Sequence, residues 1–246
     1  MSTKESTEVL IPFIGAFSSG KSSLLNALLG ENLLSTDITP ETALPIELRA
    51  GAERIYTACW PDGRQAAMHE PQFLAADFVQ LSNEDGWLQA QVPHLARWPD
   101  LALVDLPGWS SGESTHERHI DEYLLRIARK DLHKNTVFIV TVSADEGTLR
   151  ENVRARLQAL EMGVSPYFLV LTKSDKRTPE DLDSVAEHVR DALTDAIGKP
   201  PQRTIFTSAR KKQVEPLRQA IDEVRQALRK KLYTAMLIKS LLAKFF

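Results

Sequence analysis

Residues 15–22 read Gly-Ala-Phe-Ser-Ser-Gly-Lys-Ser and match the spacing G-x-x-x-x-G-K-[ST]. The glycines let successive backbone N–H groups turn inward and form a nest that binds an anion, and the N-terminus of a following helix adds partial positive charge. We expect Lys21 to reach the β- and γ-phosphates of a nucleotide and Ser22 to ligate Mg²⁺. The other predicted nucleotide contacts in this loop are Gly15, Phe17, Ser18, Ser19, Gly20 and Ser23.

A second motif reads Asp-Leu-Pro-Gly at residues 105–108 and directly follows an apolar run. The carboxylate of Asp105 can hold Mg²⁺, usually through water, and the Gly108 N–H can approach a γ-phosphate because no side chain blocks it. The same four residues are also typical of a surface turn. Their place at the end of a strand favours the metal and phosphate roles, so Asp105 is a predicted metal ligand and Gly108 a predicted catalytic residue.

A third motif reads Thr-Lys-Ser-Asp at residues 172–175, again where a predicted strand ends. The Asp175 carboxylate can accept hydrogen bonds from N1–H and the exocyclic amino group of guanine. Adenine offers no such pair of donors, so a buried carboxylate would select guanine by leaving unpaired groups with the wrong base. Taken alone, this motif is equally compatible with a surface turn. The residues that we expect to line the base site are Thr172, Lys173 and Asp175.

Apolar or alternating runs predict β-strands at 9–14, 46–49, 54–60, 101–104, 136–142, 167–172 and 204–207. Amphipathic runs predict helices at 21–29, 117–134, 149–162, 182–193 and 217–232, with a weaker helical pattern at 72–81. Near-continuous apolar strands separated by helices indicate a three-layer α/β fold, with a mostly parallel sheet covered by helices on both faces and one antiparallel edge pair around Gly51. In such sheets ligands bind beyond the carboxyl ends of the strands, where the three motifs fall.

The ordered motifs resemble those of the TRAFAC-class GTPases, whose P-loop G domain has this fold. Residues 20–30 resemble a block that dynamin-like proteins share with Era-like GTPases, and the stretches at 33–36 and 40–48 resemble a loop of the dynamin-like branch. The resemblance covers roughly residues 9 to 210 and implies hydrolysis of GTP to GDP and phosphate with Mg²⁺.

The resemblance also implies roles for residues that the motifs above do not include. Thr42 takes the switch position, where its hydroxyl would contact Mg²⁺ and its backbone the γ-phosphate, and Thr39 is the reserve candidate. Glu41 stands where many relatives have Thr, and Thr172 stands where many GTPases have Asn. The backbone amides after the last strand would contact the guanine oxygen, and they belong to Ser208 and Ala209.

The route of hydrolysis is open at the level of sequence. Trp109 occupies the position at which Ras-like enzymes place a Gln that orients water, and it cannot perform that task. Ser18 falls where dynamin-like P-loops place a Ser that binds a monovalent cation, which implies K⁺ as a further cofactor; a structural role in the loop is the alternative. Arg118, or an arginine of a second subunit, is the rival source of positive charge. A partner-switched binding module with negligible hydrolysis and an Era-like ribosome-assembly GTPase are the alternative functions.

Composition limits the partners. The chain has 246 residues and a formal net charge of −3, so no global field favours nucleic acid. The lone Cys59, the polar N-terminus and the lack of an apolar run of ~18 residues predict a cytoplasmic protein, at most peripheral to a membrane. We divide the chain into a G domain at 1–212 and a basic amphipathic helix at 213–246. That helix would pack on the domain, begin a helical region that is missing here, or meet an anionic membrane surface or a protein partner. A nucleotide-dependent homodimer is compatible with the family.

Overall fold

The computed structural model describes residues 9–36, 44–75, 81, 84–109, 114–129, 135–160 and 165–242. Within these ranges the strands are β1 (Val9–Gly15), β2 (Ile46–Ala50), β3 (Ile55–Cys59), β4 (Gln65–Met68), β5 (Trp87–Val92), β6 (Leu101–Asp105), β7 (Phe138–Ser143), β8 (Tyr167–Thr172) and β9 (Arg203–Phe206). The helices are α1 (Lys21–Leu29), α2 (Glu70–Ala75), α3 (Ser114–Arg129), α4 (Glu151–Ala159), α5 (Pro179–Ile197) and α6 (Glu215–Leu242).

All the described strands form a single mixed sheet in the order β4-β3-β5-β2-β6-β1-β7-β8-β9. The strands from β6 to β9 in this order run parallel to one another. Every residue of β1, β7 and β8 is buried, as expected for strands that are covered on both faces. The predicted three-layer, mostly parallel fold is therefore confirmed.

Alternate residues of β1 show how the two outer layers are built. Val9, Ile11 and Phe13 belong to the core cluster that includes α1 and the first turns of α6. Leu10 and Ile14 point to the opposite face and join the cluster that includes α3, α4 and α5. Because side chains alternate along a strand, one apolar run supplies both cores and holds the end of β1 rigidly between them.

The predicted antiparallel pair around Gly51 is wrong in its partners. β5 lies between β2 and β3, parallel to β2 and antiparallel to β3, while β2 is antiparallel to β6. The predicted strands omit β5, although its apolar residues at 88, 90 and 92 alternate with Gln89 and Gln91 as in a half-buried strand, and they omit β4 because that strand is a mostly exposed edge of small and polar residues.

The helix bounds differ from the predicted ones in detail. α3 begins at Ser114 rather than at residue 117, α4 is shorter than predicted, and α6 extends to Leu242. The weak pattern at 72–81 corresponds to α2, which ends at Ala75, and residues 76–80 lie outside the described part of the chain. Such shifts of the ends are expected because periodicity reports the middle of a helix more strongly than its caps.

The start of α6 is fastened to the rest of the fold. Asp222 accepts a hydrogen bond from the Trp98 indole N–H at 2.5 Å, and Arg218 donates to the Leu28 carbonyl at 2.9 Å, at the C-terminal end of α1. No helix in the described ranges combines the length and the apolar character that crossing a bilayer requires. The division of the chain after residue 212 stays a prediction.

A buried charge network joins β2 to α3. The Glu47 carboxylate is buried and accepts hydrogen bonds from the Tyr123 hydroxyl at 2.8 Å, from Arg49 at 2.7 Å and from Arg126. The Arg126 guanidinium lies 4.1 Å from the centre of the Trp87 ring. These contacts offset the cost of burying the charges. They fix β2, which follows residues 37–43, against α3, which follows residues 110–113.

Candidate functional site

The turn between β1 and α1 has the backbone geometry of an anion-binding loop. Gly15 and Gly20 have φ values of 155° and 91°, and Ser18 takes the left-handed conformation at φ 60°. A Cβ atom on Gly15 would lie 2.4 Å from the Thr141 carbonyl oxygen, so the loop leaves the sheet at a point where only glycine fits. Ser19 is tied to the sheet beneath through its hydroxyl, which lies 2.8 Å from the Thr141 hydroxyl.

Lys21 lies inside this loop. Its side-chain nitrogen donates to the Ala16 carbonyl at 2.9 Å and to the Gly15 carbonyl at 3.3 Å, and the residue is only 5% exposed. Burial lowers its pKa to about 8, while the negative charge of Asp105 acts in the opposite direction. A phosphate group in the nest would favour the charged form, so the site is prepared for an anionic ligand.

Two of the three predicted metal ligands, Ser22 and Asp105, are hydrogen-bonded to each other. The Ser22 hydroxyl donates to Asp105 Oδ2 at 2.7 Å, and Asp105 Oδ1 is buried without a hydrogen-bond partner among the described residues. Burial raises the pKa of Asp105, and Lys21 and the Ser22 hydroxyl partly oppose this. An oxygen-only donor set with an unsatisfied carboxylate oxygen fits Mg²⁺. Thr42, the third predicted ligand, lies outside the described residues, as does Thr39.

Gly108 approaches the phosphate loop so closely that a side chain is excluded. A Cβ atom there would lie 2.6 Å from the Phe17 Cα and 3.0 Å from the Lys21 side-chain nitrogen. The next residue closes the contact, because the Trp109 N–H donates to the Gly15 carbonyl at 3.1 Å and the Phe17 N–H donates to the Trp109 carbonyl at 3.0 Å. The second motif therefore runs as a short parallel extension beside the loop.

The Trp109 side chain acts as an apolar anchor. Its residue is 1% exposed and belongs to the core cluster between the sheet and helices α3 to α5. Asn152 of α4 donates to the Trp109 carbonyl at 3.3 Å and adds a second attachment. The indole N–H of Trp109 is buried without a hydrogen-bond partner among the described residues, and the expectation that Trp109 does not orient a water molecule stays a prediction.

The base motif is bonded directly to the phosphate loop. The Thr172 hydroxyl donates to the Ser19 carbonyl at 2.5 Å, and the Lys173 side-chain nitrogen donates to the Ser18 carbonyl at 3.1 Å. Sequence reasoning placed Thr172 in the base site and noted that it replaces the common Asn. The structure shows that its hydroxyl holds the two motifs together.

Asp175 and Ser208 meet at the far end of the cleft. The Ser208 hydroxyl donates to Asp175 Oδ1 at 2.5 Å, and Arg210 donates to Oδ2 from Nε at 2.9 Å and from Nη2 at 2.6 Å. The Ser208 hydrogen bond and then the Arg210 hydrogen bonds lower the pKa of the Asp175 carboxyl, so it is ionised at neutral pH. Sequence reasoning missed Arg210, although a basic residue directly after Ser208 and Ala209 was a usable signal.

The predicted residues line two adjoining cavities. One, of ≈ 290 Å³, is bordered by the phosphate loop, Asp105 and Gly108; the other, of ≈ 260 Å³, is bordered by Asp175, Ser208 and Ala209. Gly20, Ser23 and Lys173 border both, so the two form one cleft beyond the carboxyl ends of the parallel strands. Of the predicted nucleotide contacts, Gly15 and Ser19 are buried and border neither cavity.

The comparison with known families decides the class of this site. The profile of the dynamin family matches residues 11–174. The chain belongs to the dynamin family. The dynamin-like resemblance read from the motifs is thus confirmed.

Individual relatives agree with this assignment. Dynamin-like protein 2 of Campylobacter jejuni is 29% identical over 187 residues, which are 74% of this chain and 28% of that protein. The bacterial dynamin-like protein of Nostoc punctiforme is 47% identical over 118 residues, which are 42% of this chain and 17% of that protein. The chain therefore spans less than a third of the length of these two relatives.

Solved structures show the same fold. A structure of an oligomerised bacterial dynamin pair, described as a mechanism for long-range sensing and tethering of membranes, matches with a TM-score of 0.64 at 17% identity, over 97% of this chain and 42% of that one. A probable GTP-binding protein, engB, matches with a TM-score of 0.50 at 17% identity, over 89% of this chain and 99% of that one.

The contact at Gly108 generates a prediction. Gly108→Ala should push residues 105–109 away from the phosphate loop, because the new methyl group would overlap the Phe17 backbone. We expect GTP turnover to fall by at least about tenfold, as when one transition-state contact is lost. Gly63→Ala is the control, since nothing lies within 4 Å of the Cβ added at Gly63 and its positive φ of 93°, which Gly108 does not share, makes it a strained substitution away from the cleft. Equal turnover in both variants would show that the close approach is not needed.

Proposed function

We propose that this chain binds GTP with Mg²⁺ and hydrolyses it to GDP and phosphate. The observation that carries the proposal is that the buried Lys21, the Ser22–Asp105 pair and the Asp175 carboxylate lie along one cleft, in the order in which a guanine nucleotide presents phosphates, metal and base. Membership of the dynamin family supports the same assignment.

The residues of the chain act mainly by positioning and by charge. The nest amides and the Lys21 ammonium would stabilise negative charge on the β- and γ-phosphates, and the Gly108 N–H would face the γ-phosphate. Ser22 and Asp105, with Thr42 as a proposed third group, would hold Mg²⁺, which when bound neutralises phosphate charge. Trp109 and the apolar core behind it hold residues 105–109 against the phosphate loop.

Lys21→Ala tests the proposal directly. We expect the folded variant to lose GTP binding or to hydrolyse GTP at least about 100-fold more slowly, because the buried ammonium is the side-chain cation inside the described phosphate loop. Nucleotide binding and single-turnover hydrolysis measure the effect, and thermal unfolding checks the fold. Wild-type binding and turnover in a folded variant would refute the phosphate-site assignment.

Asp175→Asn tests the reading of the base. The new amide would donate where the carboxylate accepted, so we expect preference to move from GTP toward XTP. Competition binding with both nucleotides measures the shift. Asp183→Asn is the matched control, since Asp183 is an exposed residue of α5. Unchanged affinities for GTP and XTP in Asp175→Asn would remove residues 172–175 from base recognition.

The cation route is a further part of the proposal. Ser18 stands at the family's cation position, and the buried indole of Trp109 leaves charge compensation to another group. We expect faster GTP turnover in K⁺ than in Na⁺, with the effect on kcat rather than on binding.

Two variants of Ser18 separate its hydroxyl from its backbone. Ser18→Ala and Ser18→Gly should both reduce the difference between the GTP turnover rates in K⁺ and in Na⁺. The loss of rate should be roughly 10²-fold at most. Glycine tolerates the left-handed φ of 60°, whereas alanine is strained there. A loss with alanine alone would indicate backbone strain, and equal rates in both salts with a large defect in Arg118→Ala would favour the arginine.

A nucleotide-gated binding module without appreciable turnover is the second candidate, because Trp109 takes the position of the water-orienting Gln and its side chain is buried. Single-turnover GTP hydrolysis by the isolated chain separates the two.

Nucleotide-dependent self-association belongs to the leading proposal, and a rise of specific activity with protein concentration would support it. Peripheral attachment to an anionic membrane through the basic final helix, in a cytoplasmic protein, is also part of that proposal.

A further inference from the structure

The base-reading carboxylate is already engaged by side chains of its own chain. Asp175 Oδ1 accepts from Ser208, and Oδ2 accepts two N–H groups of the Arg210 guanidinium, at 2.9 and 2.6 Å. Guanine would present two N–H donors, from N1 and the 2-amino group, to this same carboxylate. The Arg210 fork therefore occupies the position that the base requires, at least at Oδ2.

The two partners differ strongly in exposure. The Asp175 side chain is 8% exposed, whereas the Arg210 side chain is 73% exposed. Asp175 lies in the 3₁₀ turn Ser174–Lys176. The Ser174 N–H donates a hydrogen bond to the Thr207 carbonyl, so the fold holds the backbone beside the Asp175 carboxylate. Arg210 is therefore the partner that can leave, at the cost of an ion pair whose guanidinium is already mostly exposed to solvent.

We propose that Arg210 is a cover on the base site, which must leave Asp175 before a guanine nucleotide can bind and which thereby lowers the association rate. This inference rests on the proposed function, in which Asp175 reads the base. Since a cover competes only with the unbound site, it lowers affinity through association and leaves dissociation unchanged. It also weakens every nucleotide by the same factor, so the choice between bases stays constant.

The carboxylate remains ready after the cover leaves. Ser208 contributes the largest share of the lowered pKa of Asp175 and does not depend on Arg210, since its hydroxyl also accepts from the Lys211 N–H at 3.1 Å. Asp175 therefore stays ionised when Arg210 swings away and can accept from guanine at neutral pH.

The test measures association and dissociation of fluorescent mant-GDP with Mg²⁺ by stopped flow. Arg210→Ala should raise the association rate constant roughly two- to fivefold, the range of an exposed ion pair, while the dissociation rate constant stays unchanged. Lys211→Ala is the matched control, because Lys211 is exposed, carries the same charge and touches Ser208 only through its backbone. This control reports how the loss of one positive charge alone changes the electrostatic attraction of the nucleotide phosphates.

Arg210→Lys supplies a second check at constant net charge. A lysine cannot form the two-pronged contact, so an association rate between those of wild type and Arg210→Ala supports the cover. A rate in Arg210→Ala no faster than in Lys211→Ala overturns it. Faster dissociation in Arg210→Ala without faster association also overturns it, since that result means that Arg210 contacts the bound nucleotide.

The outcomes distinguish this inference from the function on which it rests. Wild-type chain that fails to bind mant-GDP refutes both. Wild-type chain that binds it, with Arg210→Ala indistinguishable from Lys211→Ala, refutes the cover alone. An equal ratio of GDP to IDP affinity in wild type and Arg210→Ala supports a cover, whereas a changed ratio overturns it in favour of direct base reading by Arg210.

Discussion

Close approach of two backbone segments governs the chemistry of this site. Gly108 lies so near Phe17 that a Cβ atom would fall 2.6 Å from the Phe17 Cα, and Gly15 lies equally tight against the Thr141 carbonyl. Between them the Lys21 ammonium is buried among loop carbonyls, with the Asp105 carboxylate as its charged neighbour. Each charge lowers the cost of burying the other, and glycine is the residue that permits this spacing.

The parallel strands turn that local geometry into a site. Because β1, β6 and β8 point the same way, the residues at their carboxyl ends emerge along one edge of the sheet. Thr172 and Lys173 then bond across to the phosphate loop, at Ser19 and Ser18. These hydrogen bonds fix the distance between the phosphate end and the base end of the cleft, so the cleft fits a ligand whose phosphates and base are separated by that distance.

The buried Glu47 network has a consequence for motion in this member of the dynamin family. It joins β2, which follows residues 37–43, to α3, which follows residues 110–113. A shift of either element would leave a carboxylate or a guanidinium buried without its partner, which is costly. We therefore expect β2 and α3 to move as one unit.

The sequence alone predicted the phosphate loop, Ser22 and Asp105 as separate metal-ligand candidates, the base motif and the parallel core, because each rests on a short motif or on a strong apolar pattern; that Ser22 bonds to Asp105, 83 positions away, was decided by the tertiary structure. Only the tertiary structure decided that β5 inserts between β2 and β3, that Thr172 ties the motifs together and that Arg210 sits on Asp175. Strand order and side-chain pairing depend on contacts between residues far apart in sequence, about which local periodicity carries no information. Thr172 is 153 positions from Ser19 and Arg210 is 35 from Asp175, so folding is what brings each pair into contact.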